Sequence, residues 1–194
     1  MANADATPSD DPSGLIQRAR AGDEDAFGAL VRANYEPVFR LVFSIVRNEH
    51  DARDVCQEVW VAAWNAIGNF RGDAKLTTWL HPIAVRRSID HLRGRKRWLA
   101  RFLPFLSNDG SEPAAAAHDA PSPRDEVEAK ERSVRFERAI ATLPAKHRAV
   151  LALREIEGLS YEEIAKTMKL RPGTVMSRLH NARRILARKI GDAS

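Results

Sequence analysis

The run from Glu157 to Leu179 constrains this chain more than any other segment. Gly158 interrupts an apolar helical stretch. Ser160-Tyr161-Glu162-Glu163 then has the form of a capping box. In such a box the serine hydroxyl satisfies a free backbone N–H, and the glutamate three residues on reaches back to the serine N–H. The helix it opens ends near Lys169, and Leu170-Arg171 leaves room only for a tight turn. Pro172 then takes a first-turn position, where its missing N–H costs nothing. Two helices joined this closely, the second one basic, predict a helix-turn-helix.

The rest of the chain is read from its apolar periodicity. Ala26, Phe27, Leu30, Val31 and then Val38, Leu41, Val42, Ile45, Val46 recur at three- and four-residue steps, the mark of a helix with one core-facing stripe. Gly22 is read as a stop and Asp23 as the N-cap of this segment, with Leu15–Ala21 as a short helix before it. Pro37 is expected to separate or bend the two halves of the stripe. A third helix is expected from Asp51 to Ile67, with Val55, Val59, Ala62 and Ala66 on one face and Asp54, Glu58 and Val61 beside it. After a turn at Asn69-Phe70-Arg71-Gly72-Asp73, a fourth helix runs from Leu76 or Thr77 to about Arg97. Pro82 lies inside it, near the first turns or at a kink. No strand pattern or internal repeat emerges, so the fold class is all-α.

Composition divides this helical chain in two. Ser107–Pro123 contains no Lys or Arg, an alanine run and Pro113, Pro121 and Pro123, which reads as a flexible linker. The expected organisation is a disordered tail over 1–12, a helical bundle over 13–105, a linker over 106–124 and a helix-turn-helix domain over 125–194. The second domain should hold helices from Asp125 to Thr142, from Ala145 to Glu157, and the capped pair described above. No apolar run approaches the roughly 20 residues needed to span a bilayer. The acidic start lacks the features of a signal peptide, so a cytoplasmic protein is expected. Cys56 is the only cysteine, which excludes an intrachain disulfide and a cysteine-based zinc site. It reads as a small buried hydrophobe, with a redox-sensing thiol as the alternative.

The formal net charge of +5 favours a polyanionic partner, and its placement matters more than its size. At about 100° per residue, Val175, Leu179, Ala182 and Leu186 share one side of the last helix. Ser177, His180, Asn181, Arg184 and Arg188 lie opposite, flanked by Met176 and Arg178. Arg171, Arg178, Arg183, Arg184, Arg188 and Lys189 all precede the next acid, Asp192. A solvated C-terminal helix with cations at its negative end would explain the charge alone. The tight turn before it favours a helix presented to the major groove.

A second basic cluster comprises Arg86, Arg87, Arg93, Arg95, Lys96, Arg97 and Arg101, opposed only by Asp90. Phe70, Trp79 and Trp98 stand nearby. Cations tracking phosphates beside flat rings suit single-stranded nucleic acid. Trp79 reads first as a core residue, and both roles are compatible. No HExxH pair, P-loop or dinucleotide fingerprint occurs. The histidines lack metal-ligand spacing, so neither an enzyme nor a metal or cofactor site is expected.

Taken together, these segments resemble the ECF (extracytoplasmic function) group of the sigma-70 family. Ala21-Gly22-Asp23 with Ala26-Phe27 is similar to the start of its sigma-2 domain. Asp51-Ala52-Arg53-Asp54-Val55-Cys56-Gln57-Glu58-Val59-Trp60 resembles that domain's most recognisable helix. Phe70-Arg71-Gly72, Thr78-Trp79-Leu80, Ile83-Ala84, Asp90 and Arg93 resemble the promoter-opening region. The sigma-4 likeness runs through Leu143-Pro144, Arg148, Glu157–Ala165, Gly173–Leu179 and Ala182-Arg183. Arg86 departs from the usual Asn of I-A-x-N, and Pro82 from the usual helix former.

The resemblance implies a non-enzymatic sigma factor, of the kind used in stress responses, that binds core RNA polymerase and directs promoter-specific initiation. It implies that Asp54, Gln57, Glu58 and Val61 dock on polymerase, with Trp60 packed beneath or beside them. It implies a −10 surface of Asn69, Phe70, Arg71, Lys75, Trp79, Arg86, Arg87 and Arg93, the loop capturing an unstacked base and the basic helix holding the melted strand. At −35, Met176, Ser177, His180 and Asn181 would approach bases, and Arg171, Thr174, Arg178 and Arg183 phosphates. Such factors are commonly held inactive by an anti-sigma protein, at times at the inner membrane, and have no small-molecule substrate. The competing reading is a helix-turn-helix regulator that acts without polymerase. That reading would bury the face beside Asp54 and Glu58 in a dimer core, whereas a docking helix leaves them exposed.

Overall fold

The computed structural model describes residues 12–102 and 134–191, and all regular structure among them is helical. The expected tail over 1–12 and linker over 106–124 lie outside the described residues, apart from residue 12. The first domain holds α1 (Pro12–Arg20), α2 (Glu24–Val46), α3 (Glu49–Ala66), a 3-10 turn (Ile67–Asn69) and α4 (Leu76–Phe102). In the second domain residues 134–141 are helical (α5), followed by α6 (Ala145–Glu155), α7 (Tyr161–Met168) and α8 (Pro172–Gly191).

The caps fall where local chemistry demands them. Asp23 accepts from the Ala26 N–H at 2.9 Å, and Gly22 turns the chain at φ +95°. The Ala26 N–H, and secondarily Arg18, hold the Asp23 carboxyl below its usual range. Asn48 caps α3 by accepting from the Asp51 N–H. Both halves of the capping box are present: Glu163 N–H donates to Ser160 Oγ at 3.2 Å, and Ser160 N–H to Glu163 Oε2 at 2.7 Å.

Neither proline ends its helix. α2 runs through Pro37, so of the two expectations the separation does not occur, and α4 runs through Pro82. Pro37 removes the N–H that would serve the carbonyl of Ala33. Ala33 lies on the exposed face of α2, where water can take that carbonyl.

Leu41, Ile45, Val55, Val59 and Leu80 are fully buried between α2, α3 and α4. Val150, Leu153, Ile164, Val175 and Leu179 are their counterparts in the second domain. The two groups belong to one continuous buried cluster, because α2 packs against α6 and α4 against both α6 and α7. A smaller cluster of Ala139, Leu143, Ala182 and Leu186 fastens α5 to α8. Among the described residues no helix is long and apolar enough to cross a membrane.

Candidate polymerase and nucleic-acid interfaces

α3 buries Val55, Cys56 and Val59 and turns Asp54, Gln57, Glu58 and Val61 to solvent. Val61 is 62% exposed, unusual for a branched apolar side chain in the middle of a helix. Trp60 packs beneath this face, its ring meeting Phe27 edge-on at 6.2 Å. All four residues expected to dock on polymerase thus share one open surface.

The acids of α3 also face the bases of α4. Glu58 lies 3.8 Å from Arg87, while Asp51 lies 2.6 Å from Arg95 and 3.6 Å from His91. The spacing explains the seam: Asp51 and Glu58 are two turns apart on α3, and Arg87, His91 and Arg95 follow one another at four-residue steps on α4. Periodicity showed both faces but not that they meet. One member of the expected DNA surface, Arg87, therefore leans on one member of the expected docking surface, Glu58.

In the loop before α4, Asn69, Arg71 and Lys75 are exposed, and Gly72 adopts φ +82°. Phe70 is a correction. Its ring is only 3% exposed and packs on Trp79 at 5.3 Å between centroids, so it anchors the loop from below and offers no face for base stacking. Trp79 is half-buried, between its two readings. Farther along α4, Arg86 is free to solvent beyond a loose 3.7 Å approach to Asp90, which also neighbours Arg93 at 3.6 Å. Asp90, Arg93, Lys96 and Arg97 line a shallow groove on this helix.

The second interface is built on α8. Val175, Leu179, Ala182 and Leu186 are buried, which turns Met176, Ser177 and His180 outward, with Asn181, Thr174 and Arg178 half-exposed. Arg171 is exposed at the turn. Met176 is 55% exposed and, with Tyr161, His180 and Arg183, lines a groove between the start of α7 and α8. Ser177 Oγ donates to the Thr174 carbonyl at 3.0 Å, which leaves its lone pairs outward. Arg183 is not a free phosphate ligand: its Nη2 is 2.7 Å from Glu155 Oε1 on α6. Behind the helix-turn-helix, Arg154 lies over the Tyr161 ring at 5.3 Å and donates to the Leu159 carbonyl. Burial, and secondarily the charge of Arg178, push the His147 pKa down. Cys56 is inert in this environment, its thiol pushed up to about 12 by burial. No group of histidine, cysteine and acidic side chains among the described residues could hold a metal.

A capped helix-turn-helix with a basic outer face, joined to a bundle that carries a second basic helix, has the form of a nucleic-acid-binding protein. Comparison with known proteins narrows this class. Residues 30–98 match the family model "Sigma-70 region 2", and residues 133–186 match "Sigma-70, region 4". The chain is 37% identical over 175 residues to the RNA polymerase sigma-H factor of Pseudomonas aeruginosa, covering 87% of this chain and 88% of that one. It is 35% identical over 178 residues to the ECF RNA polymerase sigma-E factor of Escherichia coli, covering 91% and 92%. With the ECF factor SigW of Bacillus subtilis it shares 30% over 178 residues, covering 91% and 95%. Among solved structures it resembles CnrH in complex with the cytosolic domain of CnrY, at a TM-score of 0.59 and 26% identity, covering 93% and 97%. The fold of a sigma factor RpoE from Bartonella quintana, solved with the anti-sigma factor NepR, also matches, with a TM-score of 0.66 over 85% of this chain.

The chain belongs to the sigma-70 family, in its ECF group. It is a sigma factor, directing RNA polymerase to initiate transcription.

Proposed function

We propose that the surfaces described above divide the work of initiation. The α3 face of Asp54, Gln57, Glu58 and Val61 docks on core polymerase. Residues Asn69, Arg71 and Lys75 of the loop, with the exposed edge of Trp79, receive the unstacked −10 base. Arg86, Arg87 and Arg93 track the melted strand. Unstacking costs a few kcal/mol, which ring stacking and phosphate contacts offset. Met176, Ser177, His180 and Asn181 read −35 base edges, while Arg171, Thr174 and Arg178 set register on phosphates. The observation that carries this reading is the shared exposure of Asp54, Gln57, Glu58 and Val61 on one face of α3, which meets the basic face of α4 where Glu58 lies 3.8 Å from Arg87.

Promoter-bound polymerase is the working partner, which places the factor in the cytoplasm. An anti-sigma protein is a further partner, a reading supported by the similar fold of the sigma factor RpoE solved in complex with the anti-sigma factor NepR. Run-off transcription with core polymerase and a genomic promoter pool tests the reading. Promoter-specific transcripts should appear only with this protein and disappear with Asp54→Arg plus Glu58→Arg. Persistence of those transcripts in the double variant would remove α3 as the docking helix.

A further inference from the structure

Asp51 stands in the first turn of α3 and is held there by the cap, its backbone N–H donating to Asn48 Oδ1 at 2.9 Å. Its carboxylate reaches across to α4. There Oδ2 accepts from Arg95 Nη1 at 2.6 Å and lies 3.6 Å from His91 Nε2. Asp51 is 21% exposed and His91 22%, so the contact is sheltered. A partly buried ion pair is screened by water and salt less than an exposed one.

This contact falls where little else fixes α4. Among the described residues Ile89 is the last buried one of the helix, and every residue from Arg95 to Arg101 is exposed. The looser Glu58–Arg87 pair, at 3.8 Å between half-exposed side chains, lies nearer the start of the helix. Asp51 grips α4 on both sides of Arg93, two residues before it and two after. At about 100° per residue, two residues turn a helix by about 200°, so His91 and Arg95 lie nearly opposite Arg93. Holding that back face against α3 aims Arg93 away from the bundle, where its side chain is 56% exposed. Arg86, seven residues earlier, shares the face of Arg93 to within about 20°. Two cations assigned to the melted strand are thus oriented by an acid with which neither is paired.

We propose that Asp51 is a positioning residue for promoter opening: it clamps His91 and Arg95 to α3, so that the opposite face of α4 presents Arg86 and Arg93 to the melted strand. The inference rests on the −10 reading above. Its consequence has the opposite sign from simple electrostatics. Removing an acid beside a basic surface raises the attraction for a polyanion. Removing a clamp lets Arg93 turn and weakens the strand contact, because a loosely supported side chain loses what a preorganised one gives.

Holoenzyme assembled from core polymerase and the full chain tests it. Fluorescence anisotropy reads its binding to a labelled single-stranded oligonucleotide that carries the −10 sequence of a promoter from the run-off pool. Affinity for core polymerase is measured on the same variants, and circular dichroism checks each fold. Asp51→Asn should weaken oligonucleotide binding severalfold, with core affinity and the salt slope unchanged. Asp51→Glu, which keeps the charge, should restore most of the binding. Arg95→Met should also weaken it, and the double variant should be no worse than the worse single one, as for two halves of one contact. Unchanged or tighter oligonucleotide binding by Asp51→Asn, or an equal loss of core affinity, overturns the clamp. So does a drop in salt slope of roughly 0.7 for Arg95→Met, which would make Arg95 a phosphate ligand on the single strand. Arg93→Ala judges the −10 reading separately, and should both weaken binding and lower the slope by that amount. If it does neither, the −10 assignment of Arg93 has failed, whatever Asp51 shows. If it does both while Asp51→Asn binds as tightly as the parent, the clamp alone has failed.

Discussion

Arg148 and Ile45 are 103 positions apart in the chain, yet the arginine Nε and the isoleucine carbonyl oxygen are 2.6 Å apart. The same guanidinium donates through Nη1 to the carbonyls of Ala141 and Leu143 at 3.1 Å each. One side chain thus serves the end of α2 in the first domain and the turn between α5 and α6 in the second. Burial, then the nearby charge of Arg47, lower its pKa to about 10, which leaves it charged at neutral pH.

Arg148→Ala therefore strands buried acceptors as well as removing hydrogen bonds. Each buried group left unsatisfied costs roughly 1–3 kcal/mol, so a loss of about 2–5 kcal/mol in urea unfolding is expected. Arg148→Lys should recover only part of it, because an ammonium lacks the fork that spans three carbonyls. A loss below about 1 kcal/mol for the alanine variant would mean that water replaces the guanidinium and that the contact is incidental.

Cys56 is fully buried, and burial raises its thiol from the usual 9 to about 12. Three pH units mean on the order of a thousandfold less thiolate at any pH below both values. The sign follows: folding keeps the proton on, so this contribution is complete below about pH 9 and is lost as pH rises towards 12. Native protein at pH 8 should resist iodoacetamide until urea unfolds it. Prompt native alkylation would revive the redox-sensing reading.

Ser160→Ala removes the hydroxyl that accepts from the Glu163 N–H and should cost about 1 kcal/mol. The Glu163 carboxyl, held below its usual range first by the Ser160 backbone N–H and then by the Ser160 hydroxyl, should titrate closer to an ordinary glutamate in the variant. Amide exchange should quicken through α7 and spare α3. Uniform destabilisation of both domains would show instead that they unfold as one unit.

How much of this was legible in advance follows from the range of each interaction. The capping box, the Lys169 turn and the Pro172 start are settled within four residues, so their chemistry is written in the sequence. The exposed run of Asp54, Gln57, Glu58 and Val61 follows from helical period once Val55 and Val59 are known to face inward. Phe70 was misjudged because its environment depends on Trp79, whose side chain reaches it only after the loop has closed. Arg183 looked like a phosphate ligand for a similar reason: Glu155, its partner, is 28 residues away on another helix. Whether Pro37 separates the halves of α2 could not be read locally, because the cost of a missing hydrogen bond depends on whether water can reach the orphaned carbonyl. Periodicity names the faces of a helix, and tertiary packing decides which faces meet.

His147 offers a titration read-out of the second domain. Its pKa is lowered first by burial and then by the Arg178 charge. The folded state thus binds this proton less readily than the unfolded chain, so stability falls as pH drops from about 6.5 through the depressed value. Arg178→Ala removes the second cause, and the His147 ring should titrate at higher pH by NMR, with a shallower loss of stability on acidification. An unchanged titration would show that burial alone sets it.

The strongest discrimination is available on α8, where base readers and phosphate binders should fail differently. Met176→Ala and His180→Ala alter groups that face outward from the middle of the helix. Each should change the ranking of −35 sequences by about 1–3 kcal/mol at an affected position while leaving the salt dependence intact. Arg171→Ala removes an exposed cation at the turn. It should weaken all promoters alike and reduce the salt slope by about one. Arg183→Ala should do less than Arg171→Ala, because Glu155 already neutralises Arg183. Competition between promoter variants for the holoenzyme, measured across a salt series, separates these effects. If Arg183→Ala lowers the salt slope as much as Arg171→Ala, DNA draws Arg183 away from Glu155, and the ion pair is a resting contact that binding exchanges for phosphate.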